Sequence, residues 1–391
     1  VASVNLAGTG LGNGNSQTAS LDATGRYVAF QSASSNLATN DTNVNLDVFR
    51  RNLVARTTKL ASVNVNGTSS SSGSTFSPVL SKQGNVVVFL STANDLVTGD
   101  TNTSGADLFR RDFDADTTML IDSKVAPSTD TSVPAVSADG RFVLYSDALK
   151  NLVLFDALTH TRTNIVNNTP GAGGVMTDDA NYVAFSGLPD ITGVRNIYLY
   201  DRLGGTTELV SIREPSLTIT SGSAASHMVS GAVSSNGQFI VFESYASDLN
   251  AGDTNSTRDV WICDLKGASN GTIRLNTILS GFARGPSRRP VVSGDGQWVA
   301  FEAIPDSTPV TGLATRFNLY AFDRVAQTNL LVGGVGSVVA PSLAAFSQQG
   351  AFLTFQSSET GVGGYATTVG QVYYRDPVQG TNRLVSLAYL G

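Results

Sequence analysis

The chain has 391 residues, a formal charge of −6 and a hydrophobic share of 41%, enough for a large core. Only 14% of its residues are charged, against roughly 25% in an average soluble protein. No basic stripe appears, which argues against nucleic acid as a partner. No apolar run approaches the roughly 20 residues of a transmembrane helix, and a lone cysteine, Cys263, excludes an internal disulfide.

Taken in chain order, the sequence opens at Val1 inside a strand-like segment with no signal peptide ahead of it, which reads as a processed or trimmed form. Residues 1–9 (VASVNLAGT) match residues 60–68 (LASVNVNGT). A repeated unit then begins. Residues 18–21 read as a short first strand, and Asp22-Ala23-Thr24-Gly25 as a tight hairpin turn. Residues 26–31 form a second strand, apolar enough to be buried on both faces. A polar loop over 32–46 leads to a third strand at 47–51, and a further turn leads to a fourth at 58–63.

The turn-and-strand pattern returns around Gly84, Gly140, Asn181 (in place of glycine), Gly237, Gly296 and Gly350. Its strand ends each time in an aromatic residue: Phe30, Phe89, Tyr145, Phe185, Phe242, Phe301 and Phe355. These seven copies lie roughly 40–60 residues apart, the spacing of propeller blades. The third strand recurs at 107–112, 151–156, 196–201, 259–264, 318–323 and 371–376, ending in Asp in each case. That Asp reads as a turn former. The fourth recurs at 118–121, 207–212, 272–275 and 382–387. No segment has a helical period.

The expectation is an all-β chain: one seven-bladed β-propeller of four-stranded antiparallel blades spanning 1–391. The blades fall at 18–74, 75–132, 133–173, 174–226, 227–285, 286–339 and 340–391, with 1–17 an extra strand and lead-in. An isolated blade would leave apolar surface wet on both sides, so the blades must pack face to face. The recurring aromatic at the end of the second strand is expected to fill the space between them. Blade 3 is shorter, passing quickly from Tyr145 to Asn151. Both ends of the chain claim the outer edge of the last blade. One strand closes the ring while the other extends it, which is the favoured reading, or the spare strand adds to the edge of a neighbouring copy.

Ser137-Ala138-Asp139-Gly140-Arg141-Phe142-Val143, with the later strand closing on Asp156, resembles the TolB-like, WD-like propeller repeat of bacterial envelope and secreted proteins. The resemblance covers essentially the whole chain. It implies the fold and leaves the activity open, because that family includes protein-binding scaffolds, peptidase-associated propellers and sugar-acting enzymes.

An acidic loop recurs in three blades. It carries Asp41, Asn43 and Asp47, then Asp100, Asn102 and Asp107, then Asp253, Asn255 and Asp259. Hard oxygens at this spacing suit a divalent ion, calcium above all. The same residues also suit Asx turns that cap their own backbone. The pairs Arg50-Arg51 and Arg110-Arg111 sit on third strands, where neighbours point to opposite faces, so they read as local ion pairs or a solvated edge. His160 belongs to an exposed turn. His227 lies near the first strand of blade 5, and Cys263 reads as a small buried hydrophobe. Glu243 and Glu302 hold the same place in two blades, just after the aromatic, and are the carboxylates to test first for glycoside chemistry. Asn-x-Ser/Thr triplets at Asn40, Asn66, Asn102, Asn167, Asn255 and Asn270 are what an Asn- and Thr-rich chain holds by chance.

These features point to a non-catalytic scaffold at the cell surface, in the periplasm or outside the cell. It would bind a protein or glycan through its loop faces, with calcium as a candidate cofactor. Two other classes stay open: a polysaccharide lyase or hydrolase with channel carboxylates, and a structural subunit of a surface array or fibre built through the spare terminal strand.

Overall fold

The structure is a computed structural model. It describes residues 2–101, 105–125, 134–167, 173–187, 194–212, 222–250, 253, 257–266, 272–274, 285–304, 317–333, 342–347, 350, 352–357 and 371–385. The chain is all-β. Its strands form seven four-stranded antiparallel sheets, the blades of a seven-bladed β-propeller, and the described residues contain no helix.

Blade 1 is built from Ser16–Leu21, Tyr27–Ser32, Asp47–Asn52 and Thr57–Leu60, and blade 2 from Thr75–Leu80, Val86–Ser91, Ala106–Asp112 and Thr117–Val125. Blade 3 is Ala135–Val136, Phe142–Ser146, Leu152–Asp156 and Thr161–Val166; blade 4 is Gly174–Met176, Tyr182–Gly187, Asn196–Asp201 and Thr206–Leu209. Blade 5 uses Ser226–His227, Phe239–Ser244, Asp259–Asp264 and Thr272–Arg274; blade 6 uses Ser287–Val292, Trp298–Ala303, Asn318–Asp323 and Thr328–Gly333. Blade 7 is Ser342–Phe346, Leu353–Ser357, Gln371–Asp376 and Thr381–Leu384. Two compact units divide the chain, Val1–Ala180 and Asn181–Gly391.

The serine ahead of the Asp-Gly, Asn-Gly or Gln-Gly turn explains that signature. Ser137 Oγ accepts from Phe142 N–H at 2.9 Å and donates to Asp139 at 2.6 Å. Ser81, Ser234 and Ser293 accept from the first residue of their second strands in the same way, at 3.1, 3.0 and 3.0 Å. Blade 1 substitutes Asp22, whose carboxylate accepts from Tyr27 N–H at 2.7 Å. The Asp that ends the third strand is a turn former, as its position implies: Asp112, Asp201, Asp323 and Asp376 each accept from two successive backbone N–H groups of the hairpin that follows.

Period-two alternation sorts the second strand between two interfaces. In blade 2, Val87 and Phe89 pack toward Ala29 and Val48 of blade 1, while Val86, Val88 and Leu90 pack toward Val143, Tyr145 and Phe155 of blade 3. Phe89 and Tyr145 therefore do fill inter-blade space, and in five blades the recurring aromatic is stacked on its cross-strand partner in the third strand. Phe30 lies on Phe49, Phe89 on Phe109, Phe185 on Tyr198, Phe301 on Tyr320 and Phe355 on Tyr373, with centroids 5.6 to 6.0 Å apart.

Blades 1 to 3 are also clasped by their arginines. Arg50 reaches across to the Gly84 carbonyl at 2.7 Å and lies over the rings of Tyr27 and Phe113. Arg110 donates to the Gly140 carbonyl at 2.7 Å. Their neighbours Arg51 and Arg111 turn the other way, to Thr58 and Thr118 on their own fourth strands. The expected split between faces holds, and the expected local ion pairs are present in blade 2, where Arg110 meets Asp112 at 3.1 Å and Arg111 meets Asp116; Arg50 and Arg110 are inter-blade ties as well, not a solvated edge. Tyr145 adds a further tie, donating at 2.8 Å to Asp122, which Arg162 also approaches at 3.1 Å.

Of the two strands that could occupy the outer edge of blade 7, Thr381–Leu384 is the one paired there. The residues after Val1 repeat the bend of their sequence match. Val4 bridges Leu11 as Val63 bridges Ser70, and Asn5 Oδ1 accepts from Thr9 N–H at 3.0 Å as Asn64 Oδ1 does from Thr68 N–H. The segment is thus a second example of the connector that enters a blade.

Candidate functional site

The loop joining the second and third strands carries the acidic residues. In blade 1, Asp41 is 8% exposed and Asp47 fully buried. Asn43 forms an Asx turn: its Oδ1 accepts from Asn45 N–H at 2.7 Å, and its Nδ2 ties the loop to the Ser71 carbonyl at 2.8 Å. Asp47 Oδ1 accepts from Ser62 Oγ at 2.7 Å, and the same hydroxyl oxygen accepts from Val48 N–H. The Asp41 carboxylate accepts from Asn43 N–H and Ser70 Oγ. Asp41 Oδ1 and Asp47 Oδ2 are left buried without a hydrogen-bond partner.

Burial pushes the Asp41 carboxyl up to about 6 and the Asp47 carboxyl up to about 7, with the charges of Asp41 and Asp95 adding to the rise at Asp47. In blades 2 and 5, Asp107 and Asp259 are buried at the start of their third strands, Asp253 is 8% exposed, and Asp100 is partly exposed. Asn102 and Asn255 lie outside the described residues. Among the described residues, no group of three or more His, Cys, Asp or Glu side chains could together hold a metal ion. The hydroxyls of Ser62 and Ser70 come from the connector toward the next blade, so the local acidic spacing could not reveal them.

Glu243 and Glu302 stand at the same end of blades 5 and 6, and the structure surrounds both with arginine. Glu243 is 8% exposed and Glu302 2%. Arg258 Nη1 lies 3.1 Å from Glu243 Oε1, and Arg289 N–H donates to Glu243 Oε2 at 2.8 Å. Arg288 Nε donates to Glu302 Oε2 at 2.7 Å, and Arg289 Nη1 to Glu302 Oε1 at 3.3 Å. Arg288 also lies over the Phe317 ring, 3.7 Å from its centroid.

The Arg289 backbone is left-handed, with φ of 52°, at a bulge in its first strand. Ser77 has the same backbone at the bulge in blade 2, with φ of 56°. There the Ser77 N–H donates to Gln31 Oε1 at 2.9 Å. Gln31 and Glu243 both follow the aromatic of the second strand, so one task, accepting a bulged N–H from the next blade, is met by an amide in one place and a carboxylate in the other. The dipeptide Arg288-Arg289 was the visible signal for this cluster; its meeting with two distant glutamates was not.

His227 pairs with Glu243 in strand register. Burial holds its imidazole below the ordinary 6.5; Glu243 opposes that shift, while Arg195 and Arg258 add to it. Because the unfolded chain takes up the proton first, His227 costs no stability well above about pH 6.5 and costs progressively more as the pH falls below it. His227→Gln is expected to flatten the fall in Tm between about pH 7.5 and about pH 5.5, and thermal melts across that range measure it. His160 is exposed in its turn with its edge to Phe155, and Cys263 is buried.

No known family model matches this chain, and no curated protein matches it either. Solved structures do. The β-propeller domain of the Trilobed protease of Pyrococcus furiosus is 12% identical with a TM-score of 0.54, over 97% of this chain and 99% of that one. The oligogalacturonate lyase of Vibrio parahaemolyticus is 13% identical with a TM-score of 0.53, over 92% and 89%. The protein assigned as TolB in Agrobacterium tumefaciens is 16% identical with a TM-score of 0.42, over 68% and 83%. The likeness is one of fold: this is a β-propeller. Among the described residues, no helix is long and apolar enough to cross a membrane.

Proposed function

We propose that this propeller is a non-catalytic scaffold of the bacterial envelope or exterior, with a TolB-like role of binding another macromolecule through its loop face. One observation carries the reading. Glu243 and Glu302, the carboxylates best placed for glycoside chemistry, have both oxygens engaged by guanidinium or backbone N–H. A catalytic carboxylate needs an oxygen free to reach the scissile bond; in both residues the two oxygens are already taken by donors of the protein. What this end offers instead is donors. The Arg289 side chain is 52% exposed beside Arg288 and Arg258, in a chain whose overall charge is −6. Guanidinium groups held in place suit a partner, protein or glycan, that presents carboxylates. The low content of charged residues and the resemblance of the repeat to TolB-like proteins support export.

Polygalacturonate serves as an anionic probe and dextran as a neutral one. The protein is expected to be retarded by immobilised polygalacturonate and to release no shorter products from it. Arg289→Ala should weaken retention about tenfold, the loss of one charge-assisted contact. Chain cleavage that Glu243→Gln or Glu302→Gln abolishes would make this an enzyme instead.

A further inference from the structure

At the start of the third strand of every blade, in its first two positions or just ahead of it, stands a buried or partly buried Asp, Asn or Gln. Its shared task is visible in two blades: Asp47 accepts from Ser62 Oγ at 2.7 Å, and Asn196 accepts from Ser211 Oγ at 3.0 Å. A neutral amide does this work, and Asn151, Asn196, Asn318 and Gln371 do stand at that place in blades 3, 4, 6 and 7. Blades 1, 2 and 5 carry Asp there instead, at Asp47, Asp107 and Asp259. Those same three blades have the Asp-Thr-Asn loop, with its own Asp41, Asp100 or Asp253.

A second carboxylate therefore accompanies the first each time. Two buried like charges repel, and each desolvated carboxylate is costly on its own. In blade 1, a cation between the two carboxylates would relieve both costs. There the need is seen atom by atom. Asp47 is fully buried and Asp41 nearly so, yet Asp47 Oδ2 and Asp41 Oδ1 have no hydrogen-bond partner. No lysine, arginine or histidine among the described residues forms an ion pair with either.

We propose that the blade 1 loop is a calcium site in which Asp41 Oδ1 and Asp47 Oδ2 supply the charge. Calcium takes six to eight oxygens at roughly 2.3–2.6 Å in flexible geometry. Two carboxylates with loop carbonyls, hydroxyls and water suit it better than magnesium, which demands a tight octahedron. Asn43 is a brace: with its amide committed to Asn45 and Ser71, it fixes the loop so that Asp41 is turned inward. The site would act as a staple, holding the polar 32–46 loop to the connector that carries Ser62 and Ser70.

Asp47→Asn is the decisive variant, because it installs the residue that blade 4 already uses with the same serine contact and so should fold. Calcium chloride is titrated into protein stripped with EDTA, and bound metal is counted by native mass spectrometry. The full chain is expected to bind calcium with a rise in Tm, and Asp47→Asn to bind one ion fewer. A full chain that binds no calcium overturns the proposal, as does an Asp47→Asn chain that binds as many ions as the parent. Greater stability of Asp41→Asn in EDTA and in calcium alike would also overturn it, since the pair would then be mere repulsion.

Discussion

Gly140→Ala is expected to destabilise the protein by about 2–4 kcal/mol, combining the strain of a left-handed alanine with overpacking of a filled interface. Gly140 has φ of 76°, and an added Cβ would stand 2.5 Å from Val86 Cβ in the neighbouring blade. Neither side can yield easily. The Gly140 carbonyl is held by Arg110, its N–H by the Ser137 carbonyl, and Val86 is fully buried in the core shared by blades 2 and 3. Gly25 provides the control. It takes the same turn conformation with φ of 67°, but an added Cβ there meets nothing within 4 Å. Gly25→Ala should therefore show the backbone strain alone, about 1 kcal/mol, and the difference between the two variants measures the packing. The pair Gly140→Ala, Val86→Ala should cost less than the sum of the single changes, because the second makes room for the first. Urea unfolding of the four chains tests this; equal costs for Gly25→Ala and Gly140→Ala would show that the blades do not meet at the turn.

This glycine shows how far the sequence could be read. The repeat revealed that a tight turn precedes each second strand, because positive φ is a local property and glycine advertises it. That the same glycine is the place where one blade's backbone touches the next was hidden, since it depends on a residue some 54 positions away at Val86. Strand count and order were legible for a related reason: alternation, turn residues and the terminal Asp are all encoded within a few positions of where they act. The arginine pairs were read correctly as facing opposite ways, and the local ion pairs of Arg110 and Arg111 were legible as well; the ties of Arg50 and Arg110 to the Gly84 and Gly140 carbonyls were not, because those carbonyls belong to the next blade. Glu243 and Glu302 were singled out correctly as holding the same place in two blades. Their arginine partners could not be assigned: those of Glu243 come from a loop, at Arg258, and from a bulge in the following blade, at the Arg289 N–H, while those of Glu302, Arg288 and Arg289, depend on the register of its own blade's first strand. Ser62 beside Asp47 fits the same pattern: the acidic half of that contact lies in a motif, and the hydroxyl half in a connector 15 residues on.

Glu302→Gln is expected to cost about 2–3 kcal/mol, less than the roughly 3–5 kcal/mol of a fully buried broken pair because Arg289 is half in water. Glu302 is nearly inaccessible and takes a guanidinium on each oxygen. Glutamine keeps the volume and one acceptor, but it turns an NH2 group toward one of two arginines and removes the charge that held both. Arg288 retains the Phe317 ring beneath it; Arg289 retains the tie of its backbone N–H to Glu243 and loses its side-chain anchor. The two roles open to Glu302 then separate in one experiment. As the anchor of a binding surface, its removal lowers the urea midpoint and weakens polygalacturonate retention together, with no turnover to lose. As a catalytic acid, its removal would abolish turnover and leave binding intact. Arg288→Met in the Glu302→Gln background decides the energetics: with the charge already gone, removing the guanidinium should cost less than it does in the parent chain, and strictly additive costs would mean that the pair contributes nothing to the fold.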